Sequence, residues 1–150
     1  MANTVLAKGY EISFLEMFKT KIKQQSPQVY LFNENQSLIY AAKRQDDNLL
    51  NKFKLKVPLK DSDSVQKDLE FLMKEPAEFN EKGYTLFVIL NSKEIGSCPP
   101  CKAQMRVINK IQRKLKEKIQ VHTLTIMQST NSPEDLPEGY RPKLIGKPVN

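Results

Sequence analysis

Tyr84-Thr-Leu-Phe-Val-Ile-Leu90 is a continuous apolar run opening after Gly83. It is followed by Ser97-Cys-Pro-Pro-Cys-Lys102, by a cation-rich stretch to Lys118, and by Ile119-Gln-Val-His-Thr-Leu-Thr-Ile-Met127. An unbroken run of this length bounded by a glycine predicts a strand covered on both faces, the centre of a sheet. The segment from Cys101 to Lys118 puts Gln104, Ile108, Ile111 and Leu115 on one face, with Met105 flanking it. Lys110, Arg113, Lys114 and Lys118 fall elsewhere, which predicts an amphipathic helix. Ile119 to Met127 then alternates as a strand does. The unit is strand, helix, strand, and Cys98 and Cys101 sit where the first strand gives way to the helix.

Working outward toward the N-terminus, Val65, Leu69 and Leu72 recur at helical spacing behind Asp61-Ser-Asp-Ser64, a cluster of capping residues. A helix is expected from about Ser64 to Lys74, stopped near Pro76. Gln28-Val-Tyr-Leu-Phe32 and Ser37-Leu-Ile-Tyr-Ala41 are β-branched and aromatic runs around Asn33-Glu-Asn-Gln36, and predict an antiparallel hairpin. Ile12, Leu15, Phe18 and Ile22 predict a helix over about 11–23, ending before Ser26-Pro27. Between Lys43 and Lys60, the alternation of Phe53, Leu55 and Val57 predicts a loop and a short extra strand ending at Pro58. Beyond Met127, residues 128–150 read as an irregular segment, with Lys143-Leu-Ile145 as a possible last strand.

The chain of 150 residues is 39% hydrophobic and 27% charged, which predicts a single folded domain over 1–150 with its core over about 28–127. No internal repeat is present. An excess of 24 Lys+Arg over 17 Asp+Glu gives a net charge of +7, which would attract a polyanion such as nucleic acid but is equally met as a solvated surface. Only two cysteines are present, three positions apart, so a secreted disulfide framework is excluded. No signal-like or membrane-spanning run is found. A cytoplasmic protein is expected, or one exported without an N-terminal signal, and no membrane partner.

A C-x-x-C at a helix start supports dithiol redox chemistry, a catalytic zinc site with a third protein ligand, or a structural zinc site. The last needs two more soft ligands, and the chain has only His122, expected mid-strand as a satisfied residue. Phe87 to Leu90, the cysteine motif, the helix and the next strand look like the active-site region of thioredoxin-like reductases. Ser97 stands where that family has tryptophan. A thioredoxin domain also needs a cis-proline-led strand pair and a final helix, which residues 128–150 do not supply.

The order of two hairpin strands, helix, strand, C-x-x-C helix and strand over about 28–127 resembles the zinc-dependent nucleobase and nucleic-acid deaminases, most closely bacterial toxin-type groups. That resemblance implies a three-layer α/β, cytidine-deaminase-like fold, with a mixed sheet of four or five strands and helices on both faces. In this family an H-x-E motif on one helix joins P-C-x-x-C on the next, zinc activates water and the glutamate moves protons. Ser97 replaces the family proline, and Asp61-Ser62-Asp63 stands at the place of H-x-E. The resemblance thus implies Zn2+ held by Cys98, Cys101 and Asp61, with Asp63 as the catalytic proton shuttle. The implied reaction is hydrolytic deamination of a cytosine- or adenine-type base, in nucleic acid or a nucleoside, with an immunity or other partner protein as a further expectation. A diverged member without activity fits as well, as does helix capping for Asp61 and Asp63. The thioredoxin-like oxidoreductase is the alternative.

Overall fold

The structure is a computed structural model that describes residues 8–93 and 95–127. A five-stranded mixed sheet runs through it: β1 (Gly9–Ser13), β2 (Gln28–Phe32), β3 (Leu38–Ala42), β4 (Tyr84–Asn91) and β5 (Ile119–Met127), in the spatial order β1-β5-β4-β2-β3. β4 pairs in parallel with β5, and β5 in parallel with β1, whereas β2 lies antiparallel to both β4 and β3. Every β2 side chain is buried, as is most of β4, in keeping with strands covered on both faces.

Two layers of helix cover the sheet, so the α/β class and helices on both faces are as expected. α1 (Phe14–Met17) and α2 (Ser62–Met73) lie on one face, where Val65, Leu69 and Leu72 pack with Tyr30, Phe32, Phe87, Ile89 and Leu124. α3 (Pro99–Leu115) lies on the other, where Ile108 and Ile111 pack with Val29, Leu31, Leu86, Val88 and Val121. Alternation along β4 sends Phe87 and Ile89 to the first face and Leu86 and Val88 to the second. The chain is close-packed where β4 and β5 start side by side, since a Cβ at Gly83 would stand 2.2 Å from the Lys118 carbonyl oxygen.

Two segments differ from their sequence reading. The helix expected over 11–23 is only α1, one turn, capped by Ser13 Oγ accepting from the Glu16 N–H. Residues before it form β1, because Gly9 to Ser13 find a parallel partner in Thr123 to Met127 and Ile12 is buried in that register. The extra strand expected near Phe53 is a 3-10 turn, Leu49–Lys54, that turns Leu49 and Phe53 into the core and leaves Leu55 and Val57 exposed. The possible strand Lys143 to Ile145, and the rest of 128–150, lie outside the described residues.

His122, at the middle of β5, is fully buried. Its Nδ1 accepts from the Lys8 N–H (3.4 Å), and its Nε2 lies 3.0 Å from both the Glu78 carbonyl oxygen and the Gln120 amide nitrogen. Burial lowers its pKa from the usual 6.5, against the opposing pull of Glu78. It joins β5 to β1 and to the segment after α2, beside the Lys8–Glu78 ion pair and the Tyr10–Glu75 hydrogen bond. It is the satisfied residue that its place in the sequence implies.

Candidate functional site at the start of α3

The carboxyl ends of parallel strands, where connections diverge, are where open α/β sheets place their sites. β4 ends at Asn91 between parallel β5 and antiparallel β2, and residues 92, 93 and 95–97 lie between it and α3. The turn is built on Ser92: its N–H donates to the Ile126 carbonyl, and its own carbonyl accepts from the Ile95 and Gly96 N–H groups. Ile95 anchors the turn against the core. Gly96 takes φ = 144°, a conformation open to glycine and strained for other residues.

α3 begins at Cys98, with Pro99 and Pro100 at the first helical positions, where a missing N–H costs no hydrogen bond. Cys98 and Cys101 are joined by a disulfide, with their Cα atoms 5.2 Å apart. Cys98 Sγ accepts from the Cys101 N–H at 3.2 Å, capping the helix. The two cysteines differ in exposure. Cys98 is partly exposed and Cys101 is 6% exposed, and both line a cleft of about 330 Å3 with Asn91, Ser92, Lys93 and Lys102.

Opposite Cys98 stands Ser26, brought there by the antiparallel pairing of β2 with β4, since Gln28 registers with Ile89. Ser26 Oγ lies 3.9 Å from Cys98 Sγ and donates to Asn91 Oδ1 at 2.5 Å. The Ser26–Pro27 peptide is cis. Sequence reasoning took Ser26-Pro27 as a helix break and missed Ser26 and Asn91. Both come from outside the motif, and only strand pairing brings them to it.

Asp61 and Asp63 lie elsewhere. Leu38 donates its N–H to Ser62 Oγ and accepts from the Leu59 N–H, which fixes the start of α2 beside β3. Leu38 registers with Phe32, and Phe32 with Thr85, so α2 starts at the end of the sheet where β4 begins. The cysteines lie beyond the end where β4 finishes, and α2 and α3 cover opposite faces. Asp61 and Asp63 are exposed, and Asp61 makes no side-chain cap.

Zinc at the cysteines requires both sulfurs free as thiolates and a third donor at about 2.0–2.3 Å. Among the described residues, no group of three or more His, Cys, Asp or Glu side chains is placed to hold a metal ion. Asp61, the third ligand that the resemblance implies, stands at the other end of the sheet from the cysteines. What the described residues do form is a cysteine pair at a helix start, one residue partly exposed and one buried, with a hydroxyl 3.9 Å from the sulfur of the first. Compared with family models, with curated proteins and with solved structures, the chain matches none.

Proposed function

We propose that the chain is a thiol–disulfide oxidoreductase whose reacting group is the Cys98–Cys101 pair. The observation that carries the reading is the Cys98–Cys101 disulfide at the first turn of α3, with Cys98 the more exposed of the two residues. A helix N-terminus favours the thiolate over the thiol, so reduced Cys98 is the nucleophile and Cys101 the resolving group. β2, antiparallel to β4 and paired with β3, flanks the cysteine-bearing strand, although the thioredoxin resemblance calls for its strand pair after the cysteines and β2 and β3 precede them.

In the reducing direction, the Cys98 thiolate attacks one sulfur of a substrate disulfide. A mixed disulfide forms, and the other substrate sulfur leaves as a thiolate. The Cys101 thiol loses its proton to solvent and attacks Cys98 Sγ. The second substrate thiolate leaves and the Cys98–Cys101 disulfide is restored. Two electrons pass from the dithiol to the substrate, and the reverse sequence oxidises a substrate dithiol. Lys93 and Lys102 on the cleft favour a substrate carrying negative charge near its sulfur.

Zinc-dependent deamination is the competing proposal, supported by the order of the elements over about 28–127 and requiring a third ligand for Cys98 and Cys101. One preparation separates the two. Purified full-length protein is expected to contain no zinc and to reduce a fluorogenic disulfide substrate when supplied with dithiothreitol. Cys98→Ala should abolish turnover, and Cys101→Ala should accumulate a mixed disulfide visible by intact-mass measurement. Stoichiometric zinc that is lost on Cys98→Ala, with ammonia released from a cytosine or adenine substrate, would overturn the redox reading.

A further inference from the structure

Residues 52–60 read Lys-Phe-Lys-Leu-Lys-Val-Pro-Leu-Lys, an alternation that on a sheet would send its apolar members to the core. Only Phe53 goes there. Past the 3-10 turn the chain is irregular, and Leu55 is 43%, Val57 78% and Leu59 38% exposed. Lys54, Lys56 and Lys60 are exposed between them, with no carboxylate partner among the described residues. Three aliphatic side chains within five residues, each next to an unpaired cation, form one surface feature. Scattered exposed apolar residues need no explanation, but this grouping does.

We propose that residues 54–60 dock on an anionic lipid surface, with Leu55, Val57 and Leu59 entering the acyl boundary and Lys54, Lys56 and Lys60 meeting the headgroup phosphates and carboxylates. The pairing of chemistries selects this occupant. A second copy of the chain would bring these lysines against their equals on a molecule already at +7. A nucleic acid would satisfy the lysines but leave the aliphatics in water, and the segment exposes no aromatic ring on which a base could stack. A lipid interface uses both parts at once. The contact is superficial: no described helix is long and apolar enough to cross a membrane. A cleft beside the segment joins Lys54, Leu55 and Lys56 to Leu115 of α3.

The test is co-sedimentation of the full-length protein with vesicles of phosphatidylcholine alone, and of phosphatidylcholine and phosphatidylserine in equal parts. Binding is expected to the mixed vesicles only, and to weaken with salt. Lys56→Gln should weaken it about five-fold, and Val57→Asp about tenfold. Both side chains are exposed, so unchanged circular dichroism is expected to accompany the loss. The proposal fails if mixed vesicles do not bind. It also fails if Val57→Asp binds as the parent does, because charge alone then accounts for the attraction. Retention by duplex DNA in the absence of vesicle binding would assign the lysines to a nucleic acid instead. The outcome is independent of whether the cysteines are a redox pair.

Discussion

Ser26 and Asn91 stand beside Cys98 without belonging to its motif, and their hydrogen bond has a consequence once the pair is reduced. In the disulfide form the Ser26 hydroxyl donates to Asn91 Oδ1. A Cys98 thiolate 3.9 Å away offers it a charged acceptor, and a hydrogen bond to a charged group is stronger than one to a neutral amide. Ser26→Ala should therefore slow alkylation of reduced Cys98 by iodoacetamide at neutral pH about three- to tenfold. The same variant should leave the denaturation midpoint of the oxidised protein nearly unchanged. An equal rate in parent and variant would show that the hydroxyl serves only to hold Asn91.

At the scale of elements, α3 is fastened to its surroundings by a buried amide. Gln104 is fully enclosed; its Oε1 accepts from the Asp46 N–H at 2.6 Å, and its Nε2 donates to the Asp46 carbonyl at 3.2 Å. Asp46 is itself held by Tyr40, by Lys52 and by the Asn48 N–H. Burial raises its pKa, but those hydrogen bonds outweigh it, so the carboxyl stays below its ordinary value. The loop after β3 is thus locked to the middle of α3. Gln104→Leu keeps the bulk but orphans both backbone groups of Asp46, and is expected to cost about 1–3 kcal/mol of stability. Urea denaturation measures the loss. Faster hydrogen exchange at the Asp46 amide would place it in this loop.

Across the whole molecule, acid should act through the centre of the sheet. Buried His122 is bonded as a neutral ring and its pKa lies below the ordinary 6.5. The unfolded chain therefore binds a proton first, and the stabilisation present above pH 6.5 is lost as pH falls from there toward the lowered folded value. Glu78 and Glu75 oppose the shift, and Lys8 adds to it. Denaturation midpoints between pH 7.5 and 5 should fall for the parent. A His122→Gln variant should show a shallower fall over the same range, because the carboxylates common to both still titrate. Equal slopes would mean that His122 does not set the acid response. The ring ties β1, β5 and the segment after α2 together, so its protonation should lower the cooperative midpoint and not loosen one edge alone.

Local pattern was enough to define the strand–helix–strand unit around the cysteines. The apolar run of β4, the spacing of α3 and the alternation of β5 each carry their own period, and the observed bounds agree with them to within a few residues. Gln104 was placed on the buried face by spacing alone, although nothing local says that its amide finds Asp46. Elsewhere long-range pairing prevailed. Ile12 reads as helical until β5 offers it an edge to join, and the alternation of Leu55 and Val57 finds no partner strand and stays exposed. The site divides in the same way. Cys98 and Cys101 are neighbours along the chain, so the sequence by itself determined that they meet and that a helix starts at them. Ser26 comes to them, and Asp61 and Asp63 stay away, through the strand order β1-β5-β4-β2-β3 and the choice of face by α2. Those are properties of packing among residues far apart in the chain, which only the tertiary structure decided.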